Sequence, residues 1–446
     1  HYTMRKLINF IKVFIPKPIK LLLKSIKHYL YYQVKTVFLF NISKRSHYIK
    51  IKEAKKKKQI NVIFLVIHHS MWKVEPIFKE MLTDPYFQPK ILVCPDIIYN
   101  DKYYDDLHKS YSYFHKKGYP VIKSLREDNS WVTLKELNPD IVFFTSPYEI
   151  TRKEYHQNAY LNYLTCYVPY YYMATNHAGD NSKVLNTHFL NCMWKIFWPH
   201  NYISDEFSKH SFNHGSNSLV TGYPATETLL YNSVDTFSST TWKKQTVEKK
   251  KLVYAPHHTI TGNENSLSTF LEFSEKIKEL AIKYQDNIQW SFKPHPFLKA
   301  KLYKHPDWGY DKTQNYYHFW ESQSYTQLDN GEYDSLFLES DGIIHDCSSF
   351  IVEYMFTQKP RLFILNSNEN VFLLLNDFGE KIIQGYQFAR NELDMENFIT
   401  DLIACNTSYT NKNTYFNDYL QKYYTDTLPS RAIISAIKSS LSHHSY

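Results

Sequence analysis

From Asn61 onward, short apolar runs alternate with polar or amphipathic stretches. The runs are NVIFLVIH (61–68), KILVCP (90–95), PVIKS (120–124), DIVFFTSP (140–147), YVPYYYM (167–173), KIFWP (195–199) and SLVTGYP (218–224). Near-continuous β-branched and aromatic runs of this length suit strands buried on both faces, and the stretches between them suit covering helices. Strands alternating with helices predict a parallel, doubly wound α/β sheet. Residues 232–250, rich in Ser, Thr and Lys, break the pattern and read as a linker.

A second alternating unit follows. It runs KLVYAP (251–256), an amphipathic helix near 266–285 with Leu267, Phe270, Leu271, Ile277, Ala281 and Tyr284 on one stripe, and then NIQWSFKPHP (287–296). Residues 341–365 next read as strand, tight turn, helix and strand. Gly342–His345 is the strand, Ser348 or Ser349 is placed to cap the helix, and Pro360 closes it. The chain thus divides into a leader (1–58), a first Rossmann-like domain (59–235), a linker (236–250) and a second Rossmann-like domain (251–446), an organisation that matches the GT-B architecture, two domains facing a cleft.

Composition narrows the chemistry. The length, 446 residues, suits two or three domains with full cores. Aromatic content is 17%, with 39 Tyr against 29 Phe, so many rings combine packing with a polar tip. Only ten glycines occur, and none fall in a GxGxxG or Walker spacing, which excludes a glycine-loop phosphate cradle. A phosphate here must be held by helix ends and by Ser, His, Lys or Arg. The five cysteines (94, 166, 192, 347, 405) form no CxxC pair, which argues against a zinc site or a disulfide framework and fits a reducing cytosol. No metal or resident cofactor is called for.

The net charge of +8 hides an asymmetry: residues 4–58 carry sixteen Lys or Arg against the single acid Glu53, so the rest of the chain nets about −7. These cations are interleaved with Leu7, Ile8, Ile11, Phe14, Leu21, Leu22, Ile26, Tyr29 and Leu30, and no charge-free run approaches the ~20 residues of a membrane span. The pattern is that of a basic amphipathic segment lying on an anionic membrane surface. A helix packed on the body with a solvated basic face is the plainer reading. Nucleic-acid binding is disfavoured because no recognition motif accompanies the charge. The HYT triplet ahead of Met4 reads as added, with Met4 the expected native start and no cleavable signal.

Candidate chemistry falls where strands end, which is where open α/β sheets bind ligands. Ser348 and Ser349 open the helix after the strand Gly342–His345, where unpaired N–H groups and the helix dipole favour an anion, and Glu353 lies one turn on, placed to accept ribose hydroxyls. Lys293 and His295 follow another strand, in KPHP with its stiffening prolines, where a cation and an imidazole can neutralise charge on a departing phosphate, and His257 and His258 follow a third, with either able to reach the cleft. In the first half, His177 in TNHAGD (175–180) is placed to take a proton from an acceptor hydroxyl, with His68 or His69 as weaker candidates.

The ordered set YAPHHT (254–259), STFLEF (268–273), FKPHP (292–296) and SDGIIHDCSSFIVEY (340–354) followed by KP resembles the CDP-glycerol glycerophosphotransferase family of teichoic-acid and capsule polymer enzymes. Looser agreement runs through FLVIHHSMWKVEP, DPYFQPKILVCP, PDIVFFTSPYE and VTGYPATE, so the resemblance covers most of residues 61–366. It implies a GT-B transferase that moves glycerol or ribitol phosphate from a CDP-linked donor to a hydroxyl of a lipid-linked or capsular polymer, releasing CMP, at the cytoplasmic face of a bacterial membrane. It assigns His177 as base, although Ala178 separates it from the glycine that follows the family's histidine directly. It assigns His295, Asp346, Ser348, Ser349 and Glu353 to the donor site. His345 stands where the family has Thr, and His257 and His258 stand in the family's Ala-Pro-Thr segment, where an arginine often follows, so that His258 takes the place of an arginine. A capsular glycosyltransferase using a nucleotide sugar, and a non-catalytic scaffold for capsule assembly, are the competing readings, because fold alone does not select the reaction.

Overall fold

The computed structural model describes residues 17–98, 103–176, 181–230, 241–262, 267–368, 371–406 and 413–442. Among these, two parallel sheets are present. The first contains β1 (Ile60–Val66), β2 (Phe87–Val93), β3 (Val121–Lys123), β4 (Ile141–Phe144), β5 (Leu164–Tyr167), β6 (Lys195–Trp198) and β7 (Ser218–Val220), in the order β3-β2-β1-β4-β5-β6-β7. The second contains β8 (Lys250–Ala255), β9 (Ile288–Phe292), β10 (Thr326–Leu328), β11 (Gly342–His345), β12 (Arg361–Ile364) and β13 (Gln387–Ala389), in the order β10-β9-β8-β11-β12-β13. Each sheet reverses its winding once, between β1 and β4 and between β8 and β11, and those reversals open a crevice at the carboxyl ends of the strands.

The apolar runs became strands because both faces of each sheet are covered: β4, β5, β9, β11 and β12 are buried at every position. One expected strand is displaced. In YVPYYYM only Tyr167 is extended ladder, and the strand lies earlier, at Leu164–Tyr167. Pro169 cannot donate to a ladder, and Met173 turns to φ 56°, so the chain leaves the sheet there. The short edge strands β10 and β13 carry too few apolar positions to stand out in the sequence.

Aromatic rings fill the second domain's core. Phe292 stacks on Trp320 at 5.3 Å, and Tyr254, Trp290 and Tyr316 close around them. The stretch from Thr241 packs along this domain rather than bridging freely: Trp242 is buried and its indole N–H donates to the Leu336 carbonyl, while Lys243 N–H donates to Gln327.

The end of the chain returns to the first domain. Tyr419, on the helix Thr414–Leu420, donates to the Pro199 carbonyl at 2.7 Å, and the hydroxyls of Tyr172, Tyr419 and Tyr424 form a buried cluster with 2.7 and 2.9 Å contacts to Tyr172. The final helix, Pro429–Leu441, packs on Glu75–Thr83, with Lys438 paired to Asp84 and Arg431 3.5 Å from Glu80. A second seam joins the domains beside residue 176: Thr175 bridges Leu375, the Asn376 amide donates to the Met173 carbonyl at 2.7 Å, and the His200 ring stacks on Phe378 at 3.8 Å.

Lys17–Ala54 forms one helix. Its second half packs on the first domain through Thr36, Leu39, Ser43, His47 and Ala54, all buried, and through stacking of Tyr32 on His188 at 4.2 Å. The first half leaves Ile19, Leu22, Ile26, Leu30 and Val34 exposed on one stripe. No described helix is long and apolar enough to cross a membrane.

Buried Glu227 receives the N–H and hydroxyl of Ser430 at the start of the final helix, yet burial pushes its carboxyl up to about 7. The folded state therefore holds a proton that the unfolded chain, titrating near 4.5, has released, so this group's contribution to stability falls as pH rises from about 4.5 to about 7. Urea unfolding of the parent and of Glu227→Gln at pH 5 and pH 8 is expected to show the parent losing about 2–3 kcal/mol relative to the variant across that interval. An equal gap at both pH values would mean the carboxyl is ionised throughout.

Candidate functional site

In the second sheet β8 lies between β9 and β11, so the loops that leave these three strands are neighbours in space although about 90 residues of chain separate the first from the last. The β8 loop carries His257 and His258, the β9 loop carries Lys293 and His295, and the β11 loop carries Asp346, Ser348 and Ser349. The loops are bonded to one another: His295 N–H donates to the Pro256 carbonyl at 3.0 Å.

Asp346 organises this face. It is 1% exposed, and its two oxygens accept the His257 N–H at 2.6 Å, the Thr269 N–H at 2.5 Å and the Thr269 hydroxyl at 2.8 Å. Asp346, expected in the donor site, has its oxygens taken up by protein donors, which tie the β8 loop and the start of the helix Phe270–Lys283 to the β11 loop. Burial outweighs those donors and pushes its carboxyl up to about 6.

The histidines form a tight group. His258 lies 4.4 Å from His257 and 4.2 Å from His295 between ring centroids, and the third side of the triangle is 5.3 Å. Burial, and then the neighbouring His258, hold His257 down to about 3 and His295 down to about 4, so at neutral pH these rings are uncharged. Each ring is oriented through Nδ1: by the Thr259 hydroxyl at 3.0 Å for His257, the Lys301 ammonium at 3.0 Å for His258 and the Phe297 N–H at 3.2 Å for His295.

Ser348 is half-buried and Ser349 exposed, so the turn after β11 is open to ligand. The expected capped helix is corrected in two respects. Ser349 sits in αR geometry and its side chain makes no cap bond, and the α-helix is a single turn, Phe350–Glu353, running into 3₁₀ geometry. Four residues align few peptide dipoles, so at this turn the hydroxyls, rather than a macrodipole, are the groups available to an anion.

Lys293 is buried, donates to the Gly331 carbonyl at 3.0 Å and lies 5.3 Å from the centre of the Tyr333 ring. Burial lowers its ammonium from the usual range. Glu353 is also buried and accepts the Tyr333 hydroxyl at 2.5 Å, and burial raises its carboxyl. On the other side of the cleft Lys73, which follows β1, donates to the Tyr333 hydroxyl at 3.3 Å. Tyr333 thus joins Glu353 to lysines of both domains, a role that nothing in its local sequence signals. Tyr113, from the helix Tyr103–Lys116, also bonds Glu332 on the same loop.

The first-half candidates divide. His177 lies outside the described residues, although Asn176 beside it is tied to the Leu374 and Leu375 carbonyls of the second domain at 2.7 and 2.8 Å. His68 faces Asp96 at 3.5 Å, and His69 stacks on Tyr113 at 4.9 Å with Nδ1 3.2 Å from the Ser110 hydroxyl. His345, completely buried, bonds Tyr386 at 3.1 Å and serves the core.

Two parallel Rossmann-like domains whose strand ends bear this cluster define a GT-B fold. The chain belongs to the family described as CDP-Glycerol:Poly(glycerophosphate) glycerophosphotransferase, which matches residues 170–437. No curated protein matches the sequence. Among solved structures, the wall teichoic acid polymerase TagF in a form soaked with CDPG superposes with TM-score 0.57 at 14% identity, covering 96% of this chain and 98% of that one. UDP-GlcNAc 2-epimerase from Methanocaldococcus jannaschii gives TM-score 0.53 at 13% identity, covering 85% and 99%. At these identities the likeness establishes the fold and leaves the reaction to the site.

Asp346→Asn would set an amide NH2 against the N–H of His257 or Thr269, and is expected to lower stability by about 1–3 kcal/mol in urea unfolding. Unchanged stability would show that its oxygens are not the acceptors on which these loops rest.

Proposed function

We propose that the protein transfers a polyol phosphate, in the first place glycerol phosphate, from its CDP-linked donor to a terminal hydroxyl of a teichoic-acid-type or capsular polymer and releases CMP. The observation that carries this reading is the family match over residues 170–437, which contains all three post-strand loops and their histidines and serines. Ribitol phosphate is the neighbouring alternative within the same chemistry.

The acceptor oxygen attacks the phosphorus next to the polyol. The bond from that phosphorus to the bridging oxygen breaks, and the electron pair leaves with CMP. His177 takes the acceptor's proton. His295, His258, Ser348 and Ser349 hold the phosphate oxygens as charge moves onto the departing CMP. Lys293 adds a positive charge beneath the site and fixes the loop at Gly331. Glu353, held by Tyr333, is the acidic group for the ribose hydroxyls. That His295 is held down to about 4, with its Nδ1 accepting the Phe297 N–H, supports its acting as a hydrogen-bond donor to phosphate, since a neutral imidazole with Nδ1 accepting carries its proton on Nε2.

We further propose that residues 4–58 rest on the anionic inner face of a bacterial cell membrane, where a lipid-linked acceptor would be concentrated. The exposed stripe Ile19, Leu22, Ile26, Leu30 and Val34, flanked by Lys24, Lys27 and Lys35, supports this reading, with each cation contributing on the order of 1 kcal/mol at such a surface.

His295→Ala and Ser349→Ala are each expected to cut transfer at least ~100-fold while leaving the unfolding midpoint close to the parent's. CMP release from a panel of CDP-glycerol, CDP-ribitol and nucleotide sugars measures this, and parent-like rates in either variant would remove that residue from the site. Turnover with a nucleotide sugar alone would favour the glycosyltransferase. Deleting residues 4–31 is expected to release the protein from phosphatidylserine vesicles in sedimentation, and unchanged cosedimentation would refute the surface role of the helix.

A further inference from the structure

The three-histidine cluster has a property that phosphate binding alone does not require. The ring nitrogens of His257, His258 and His295 can be chosen, one per ring, so that all lie within 4.8 Å of one another. The three rings stand on backbone that cannot easily move apart. His257 is anchored to Asp346 through its N–H, the β8 and β9 loops share the bond from His295 N–H to Pro256, and Pro294 and Pro296 flank His295.

We propose that His257, His258 and His295 together bind one divalent transition-metal ion, with a ligand position left open toward the β11 loop. An all-imidazole donor set, with the nearby carboxylate of Asp346 turned to backbone, selects zinc, cobalt, nickel or copper over magnesium or calcium, which demand oxygen. Three protein ligands and an open fourth position are the arrangement of a zinc site that accepts a further ligand. Zinc–nitrogen bonds of about 2.0–2.1 Å put tetrahedral ligands about 3.3 Å apart, so loading draws the rings together by about 1.5 Å at most.

Loading also has an electrostatic consequence. A ring that ligates through Nε2 carries its proton on Nδ1, so the Lys301 ammonium can no longer donate to His258 and must swing away, and the His295 ring must turn from the Phe297 N–H. Lys301 therefore opposes the metal, and removing its charge favours it. The metal site stands on the histidines alone. That its open position takes a phosphate oxygen of the donor rests on the proposed transfer; in the loaded protein the ion, in place of the Nε2–H donors of the metal-free rings, would neutralise charge on the departing CMP.

Titration of the metal-free, full-length protein with Co2+ tests the site through visible ligand-field absorption, and competition with Zn2+ gives the affinity. We expect one saturable equivalent with tetrahedral-type bands. His258→Ala and His295→Ala, checked for folding by circular dichroism, should each weaken binding by at least ~100-fold, beyond the 10–100-fold typical of losing an outer partner. Lys301→Met should tighten binding severalfold. No saturable equivalent, binding that survives both histidine substitutions, or weaker binding in Lys301→Met overturns the proposal. Metal binding with no CMP release from any CDP-linked donor would leave the site standing and refute the transfer reading. CMP release from a protein that binds no metal would do the reverse.

Discussion

Asp346 is a carboxylate in a place from which water is excluded, and the donor side of the cleft depends on how that charge is satisfied. Its oxygens collect the backbone N–H of His257, at the end of β8, and both donors of Thr269, at the start of a helix. Hydrogen bonds to a charged group are roughly twice as strong as neutral ones, and a buried charge left unpaired is heavily penalised, so the β8 loop and that helix start are held against the β11 loop. The histidine triangle and the open serine turn follow from that arrangement. The residue that looks most like part of the chemistry by its motif is the one that ties these loops together.

Closure between the domains rests on a different kind of contact. Tyr172, Tyr419 and Tyr424 bury phenol groups that bond one another and the carbonyls of Pro199 and Tyr223, while His200 lies flat against Phe378. Burial raises the tyrosines above their usual range and holds His200 down to about 3, so the seam is uncharged across physiological pH and insensitive to salt. The polar links through Lys73 and Tyr113 to the loop at Glu332 and Tyr333 are more exposed and reach the donor side directly. The neutral seam holds the domains together, and the charged links couple the first domain to Glu353.

Much of the fold was legible because its signals are local. Buried parallel strands must be apolar throughout, so β1, β4, β8, β9 and β11 announce themselves, and the leader's charge asymmetry is a matter of counting. The site was legible in part. Lys293, His295, Ser348 and Ser349 could be placed on neighbouring post-strand loops because strand ends in this topology face a crevice. The capped helix was misjudged because a serine pair signals a helix start without its length or rotamer, and a 3₁₀ turn from Tyr354 shortens it. Tyr333, Lys73 and Lys301 were invisible, since each is a common residue in an ordinary segment whose importance comes from what lies across from it.

The amino-acid sequence by itself determined the two alternating units, their strand ends, the exclusion of glycine-loop phosphate binding and the basic leader, because each is set by periodicity and composition along the chain. Only the tertiary structure decided that His257, His258 and His295 meet, that Asp346 accepts the N–H groups of His257 and Thr269, and that the end of the chain returns to the first domain. Those outcomes depend on strand order and burial, which join residues tens to hundreds of positions apart, and no local pattern encodes a distance of that kind.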